Sequence, residues 1–213
     1  AVAGFVDPQF LMMGSGVLEW VRRQFWAGEP EAGIYDKMMA EAHSAGGGPL
    51  VFLPNFVSGT GPAAKFGTPG AVVGLGLSST RGEVYRSALE GLAMQLRAAI
   101  DCFARTLKVS PTGIALVGGG SKNPLWNQIR ADVTNLPVAV TEHKEATVLG
   151  AALFALLGVG EFRSIEEARE LVNVARRVVE PGGDRAKYEP AYARYQRVTE
   201  ALGAGWNSRG MRT

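Results

Sequence analysis

The residues best suited to meeting a ligand lie together at Gly118-Gly119-Gly120-Ser121, directly after the apolar run Ile114-Ala115-Leu116-Val117 and directly before Lys122-Asn123-Pro124. A glycine run at the end of a strand has no side chains to hold a ligand off the backbone, and the unpaired amides at the start of the next helix favour anions. The chemistry implied is nucleotide binding. The spacing equally allows a tight structural connection, with Asn123 as helix cap and Pro124 in the first turn. Other chemistries are excluded by pattern: there is no GxxxxGK[ST] phosphate loop, and the glycines do not follow GxGxxG with a ribose-binding acid at the right distance. One cysteine, Cys102, and two histidines, His43 and His143, leave no Cys/His zinc cluster and no disulfide framework. The histidines read as surface or helix-end residues, and Cys102 as a packed thiol on a long helix.

Positioning that turn requires strands and helices in alternation. Ser15 before VLEWVRRQFW opens a helix over about 16–26, with Val17, Leu18, Val21 and Phe25 at helical spacing. A second short helix is expected over 34–43, stopped by Gly46-Gly47-Gly48-Pro49, and LVFL then reads as a buried strand. Residues 54–70, rich in Gly, Pro, Ser and Thr, form a long loop of the kind that often carries function. AVVGLGL at 71–77 reads as a strand. Thr80 and Glu83 have capping-box spacing and open a helix over about 80–107, whose stripe Val84, Ala88, Leu92, Leu96, Ile100 faces a core. After the strand at 113–117 come a helix over 124–134, the strand PVAV, a Gly/Ala-rich helix over 145–157 and a helix over 164–175 announced by Ser164 and Glu167. The expected class is a layered α/β domain. A main domain is expected over 1–200, with 201–213 as a flexible tail that frays from about Tyr195.

Composition narrows the partners. Lys and Arg number 22 against 20 Asp and Glu, a net charge of +2, so no field strong enough to select nucleic acid or an anionic membrane is present. A small molecule is the expected ligand. No run reaches the roughly 18 apolar residues of a membrane span, and the start AVAGFVDPQF has no signal-peptide pattern. With a single cysteine this suits a reducing cytoplasm. The opening residues carry no helix cap or clear strand before Phe5, and the chain reads as a fragment of a longer protein.

The segments LVGGGSKNPLWNQIRADVTNLPV and EATVLGAALFALLGVGEF, with STRGEVYRSALEGLAMQLR before them, resemble the adenine-side signature, hinge helix and preceding long helix of the FGGY family of carbohydrate kinases. The resemblance spans most of residues 10–165. It implies the second domain of a ribonuclease-H-like, ASKHA (actin-like ATPase) architecture, incomplete at its N-terminus, in which two domains close over ATP and a sugar. It further implies Mg²⁺, a ketose acceptor of the L-fuculose kind, with xylulose, ribulose and rhamnulose as alternatives, and room for a homodimer. A non-catalytic ligand-binding or regulatory module of the same fold is the reading from another class.

Carried over residue by residue, the resemblance makes Gly118, Gly119, Gly120 and Ser121 the turn beside the nucleotide and Asn123 a contact to adenine. Trp126 stands either as a wall of the adenine pocket or as core. Ser78 and Gly82 correspond to positions near the phosphates in some relatives. Lys65, in a loop that departs from the family's aromatic-rich one, reads as solvated. Gly150-Ala151-Ala152 lie on the helix that hinges the two domains, where a large side chain at 150 should force helices apart. The general base belongs to the family's other domain, so no residue is assigned as base. Asp101 and Asp132 read as solvated or capping charges.

Overall fold

The computed structural model describes residues 14–57, 69–141, 146–170 and 176–208. Its elements, in chain order, are α1 (Gly14–Phe25), α2 (Ile34–Ala45), β1 (Val51–Leu53), β2 (Ala71–Val73), α3 (Arg81–Leu107), β3 (Ile114–Leu116), a 3₁₀ turn (Gly119–Lys122), α4 (Pro124–Thr134), β4 (Val138–Thr141), α5 (Ala146–Gly158), α6 (Ile165–Glu170), β5 (Arg176–Val179) and α7 (Arg185–Ser208). The expected α/β alternation is present. Lys65 and His143 lie outside the described residues.

The 27-residue α3 is the spine. It starts where expected because Thr80 accepts from the Glu83 amide while the Glu83 carboxylate takes the Thr80 amide, satisfying two donors that a helix end leaves open. Its length lets one helix pack against α1, α2 and β1 as well as α4 and α7. Two glycines set how closely. A Cβ on Gly91 would overlap the Phe52 carbonyl oxygen of β1, and one on Gly82 would lie 2.7 Å from the Glu41 carbonyl oxygen of α2. Gly82 therefore serves helix approach, a packing role that the expectation of a phosphate-side position did not include. Around α3 the fully buried Trp26, Tyr85, Phe52, Met38 and Leu89 supply the large side chains of the core, each worth roughly 1.5–3 kcal/mol on burial.

Two small sheets flank the spine. β1 and β2 pair antiparallel. β3 runs parallel to β4, with Ile114 opposite Val138, and β5 closes the far edge antiparallel to β4. The expected strand 71–77 ends at Val73, because Gly74 turns the chain at φ +95° and the Ser79 hydroxyl then takes the Gly76 amide. α6 opens at Ser164 and Glu167 as expected, with Ser164 Oγ accepting the Glu167 amide, but its described part is Ile165–Glu170 and residues 171–175 lie outside the described ones.

The C-terminal segment differs most from expectation. α7 continues through Ser208, so residues 201–208 are helix rather than loose tail. Tyr188, Tyr192 and Tyr195 are buried on it, and Val198 and Leu202 pack against the same core. Two carboxylates pin this end of the chain. Asp132 is buried and accepts from the Gly182 amide at 2.6 Å and from Gln128 at 2.9 Å, and Asp101 accepts from the Tyr192 hydroxyl at 2.8 Å. Neither is the solvated or helix-capping charge expected: Asp132 is buried and Asp101 half-buried, and each bonds to the segment carrying α7.

α5 is strongly apolar yet largely exposed, with Val148, Phe154 and Leu156 open to solvent, as is Val159 just after it. A Cβ on Gly150 meets no atom within 4 Å. The overpacking expected at that position therefore has no basis among the described residues, none of which covers Gly150.

Candidate nucleotide cleft

β3 delivers the chain to the glycine turn. Its first amide is held by the Pro137 carbonyl at 2.9 Å, and at the other end Thr141 Oγ1 donates to the Leu116 carbonyl at 3.2 Å. The backbone then needs a sharp change of direction. Gly118 supplies it at φ +84°, ψ −173°, a region essentially reserved for glycine. Ser121 closes the turn, since both its amide (3.2 Å) and its hydroxyl (2.7 Å) donate to the Gly118 carbonyl.

The three glycines have three different reasons to be there. Gly118 is required by conformation. Gly120 is required by packing, because a Cβ on it would sit 3.0 Å from Cζ3 of Trp126 and 3.5 Å from Nη2 of Arg130. Gly119 has neither reason. Its backbone is unstrained and a Cβ on it meets nothing within 4 Å, because it would point into open space.

A cleft of about 660 Å³ has Gly119 as one of its lining residues, together with Gly14, Ser15 and Gly16 at the start of α1, Leu92 and Leu96 of α3, Leu116 and Val117, the rest of the turn Gly118–Ser121, and Trp126 and Arg130 of α4. Its size falls within the roughly 300–1,000 Å³ of small-molecule sites, and its mixture of leucines, an indole and backbone amides suits a flat ring joined to a polar group. Gly118, Gly119, Gly120 and Ser121, expected from the sequence to meet the nucleotide, all line this cleft. Asn123 is not part of the lining. Its side chain is committed to the protein: Oδ1 accepts the Trp126 amide at 2.9 Å, capping α4, and Nδ2 donates to the Tyr85 hydroxyl at 3.4 Å. Burial pushes that Tyr85 hydroxyl up to about 12, so it stays protonated. Ser78 is exposed and does not line the cleft.

Both readings of Trp126 hold together, since it is only 4% exposed and also walls the cleft. What the sequence did not disclose is the support beneath the turn. Asn127 donates to the Ser121 carbonyl at 2.7 Å, and Arg130 Nη1 donates to the Gly120 carbonyl at 3.3 Å and to Asn127 Oδ1 at 2.9 Å. The Arg130 guanidinium lies 3.4 Å from the centroid of the Trp126 ring. The spacing of Trp126, Asn127 and Arg130, three and four residues apart, was the available signal: such residues share a helix face.

Among the described residues no group of three or more His, Cys, Asp or Glu side chains could hold a metal ion. No described helix is long and apolar enough to cross a membrane.

Comparison with known proteins identifies the family and the fold. The sequence pattern of the FGGY family of carbohydrate kinases, C-terminal domain, matches residues 7–159. L-fuculokinase of Escherichia coli (strain K12) is 38% identical over 180 residues, 84% of this chain and 36% of the relative. L-fuculokinase of Haemophilus influenzae is 34% identical over 178 residues, 82% of this chain and 36% of the relative. The crystal structure of xylulose kinase from Rhodospirillum rubrum superposes with a TM-score of 0.73 at 27% identity, covering 93% of this chain and 39% of that one. The chain thus spans little more than a third of the length of the curated relatives it matches, and its architecture is that of sugar kinases with the actin-like ATPase fold. It belongs to the FGGY family of carbohydrate kinases, as a part of the C-terminal domain.

Proposed function

We propose that this chain is the nucleotide-side part of an ATP-dependent sugar kinase that transfers the γ-phosphoryl group of ATP to a hydroxyl of a ketose of the L-fuculose kind. The observation that carries the reading is Gly119: a glycine free of conformational and packing demands, between two that are not, facing a cleft of ligand size. The adenosine end of ATP lies against Gly118–Ser121, with Trp126 as a wall. Phosphoryl transfer depends chiefly on positioning and charge neutralisation. Mg²⁺ accompanies the ATP phosphates as part of the substrate, since no described side-chain cluster of this chain suits it. The rest of the kinase provides the general base and most sugar contacts, and covers α5, whose exposed apolar side chains are of the sort that normally become buried. Closure over the sugar excludes water as a competing acceptor.

The ketose assignment is supported by the two fuculokinases; the likeness to xylulose kinase keeps xylulose in the test. The full-length polypeptide carrying this domain, given L-fuculose, xylulose, ribulose and rhamnulose in turn, should form ADP fastest with L-fuculose, while the 213-residue chain alone should form none above background. Sugar-dependent ADP formation by the isolated chain, or no turnover of any ketose by the full-length protein, would overturn the reading.

A further inference from the structure

Arg130 is the only buried lysine or arginine among the described residues, at 8% exposure. The described arginines Arg22, Arg23, Arg81, Arg86 and Arg97 each rest on a carboxylate within 3 Å. Arg130 has none. Its hydrogen bonds go to neutral acceptors, the Gly120 carbonyl and Asn127 Oδ1, and only Nη1 makes them. Burial pushes its guanidinium down to about 10, with no carboxylate acting against that shift, which still leaves it cationic at neutral pH. A buried charge without a counter-charge is costly, and a perturbed group of this kind lining a cleft is a candidate for ligand contact. Trp126 beside it adds a second incomplete group, since its buried indole N–H finds no acceptor. Both side chains line the cleft.

We propose that Arg130 recognises an anionic group of the ligand in this cleft, its free guanidinium edge meeting a phosphoryl oxygen of the bound nucleotide. The stack on Trp126 fixes the plane of the guanidinium, and the bonds from Nη1 fix its rotation, leaving Nη2 on the side of Gly120. A planar fork held in this way suits a phosphate better than a lysine's point charge would, because two donors meet two oxygens at once. The inference rests on the nucleotide reading of the cleft and names a residue that selects the phosphorylated ligand over the bare nucleoside.

The test measures dissociation constants of adenosine, ADP and inorganic pyrophosphate by calorimetry on the full-length polypeptide, for the wild type, Arg130→Met, Arg130→Lys and Gly119→Val. Arg130→Met keeps most of the volume and removes the charge; it should weaken ADP about 10- to 100-fold, the range of one charge-assisted hydrogen bond, while leaving adenosine within about twofold. Arg130→Lys should fall between. Equal losses for adenosine and ADP would show that Arg130 only holds the turn, and an unchanged ADP affinity would show that its charge meets no ligand; either overturns the proposal. Pyrophosphate binding lost with Arg130→Met but unaffected by Gly119→Val would place the anion site apart from the nucleoside and support the proposal. Failure of Gly119→Val to weaken either adenosine or ADP would instead strike the nucleotide reading itself. Should Arg130→Met not fold, the guanidinium resonance of Arg130 in the labelled wild type decides: it should shift on adding ADP and stay in place on adding adenosine, and the reverse would refute the assignment.

Discussion

Substituting the three glycines of the turn one at a time separates ligand space from architecture. Gly118→Ala places a Cβ at φ +84°, ψ −173°, and such a conformation costs a non-glycine residue on the order of 1–3 kcal/mol. Gly120→Val brings its Cβ to 3.0 Å from a Trp126 ring that cannot retreat, being buried and covered by Arg130 at 3.4 Å; overpacking of this kind costs about 1–3 kcal/mol. For a chain of this size each kcal/mol lowers Tm by roughly 2–4 °C. Gly119→Val has no such cost, since nothing lies within 4 Å of its Cβ, and its effect on stability should stay within about 0.5 kcal/mol. Nucleotide affinity should respond in a different order. Gly119→Val fills the cleft and should raise the ATP Kd and KM at least tenfold, about 1.4 kcal/mol, with sugar KM unchanged. Differential scanning calorimetry gives the first ordering and steady-state kinetics of the full-length polypeptide the second. A Gly119→Val protein that melts normally and binds ATP normally would refute the argument, because the one glycine without a structural duty would then have no ligand duty either.

Asn123→Ala should act on stability by about 1 kcal/mol through the lost α4 cap, with Asn123→Ser restoring most of it and ATP affinity following the folded fraction; a selective rise in ATP KM at unchanged Tm would return Asn123 to the adenine site. Gly91→Ala should destabilise by about 1–3 kcal/mol, read by chemical denaturation, because its Cβ overlaps the Phe52 carbonyl oxygen; an unchanged midpoint would mean that α3 and β1 can separate freely. Burial pushes the Glu90 carboxyl above its ordinary 4.5, against the opposing pull of Arg86 and Tyr188. The folded state therefore holds that proton more tightly than the unfolded chain, and this contribution is fully present below about 4.5 and lost as pH rises through the folded value. The difference in unfolding free energy between wild type and Glu90→Gln should accordingly shrink from pH 4.5 towards neutrality, and a difference that grows over that window would reverse the assigned cause.

What the sequence disclosed was whatever local chemistry decides. The capping pairs Thr80–Glu83 and Ser164–Glu167 open their helices where the pattern placed them, and Asn123-Pro124 opens α4, because a helix end must satisfy its amides within a few residues. Long-range contacts were less legible. α7 was missed because Pro190 and the glycines before it suggest a break, and because its buried stripe is tyrosine rather than leucine; yet Tyr188, Tyr192, Tyr195, Val198 and Leu202 keep helical spacing throughout. β5 was missed because Arg176-Arg177-Val178-Val179 has no alternation, and it exists only because β4 offers an unpaired edge.

The same division runs through the cleft. The glycine turn is visible as a string of residue types, but which glycine faces ligand depends on Trp126 and Arg130, which arrive from the next helix and close the space beside Gly120 while leaving that beside Gly119 open. Asn123 shows the converse. Its residue type suits an adenine contact and a helix cap equally, and the choice is made by the Trp126 amide and the Tyr85 hydroxyl, which occupy both ends of its carboxamide. The Asn123 carboxamide is held in place by one hydrogen bond at each end, whereas Arg130, engaged at one nitrogen and buried without a counter-charge among the described residues, keeps the rest of its guanidinium donors unused. In this turn Asn123 caps α4 and bonds to Tyr85, and the arginine seven positions further on, which the motif did not single out, is the residue we propose to meet the ligand.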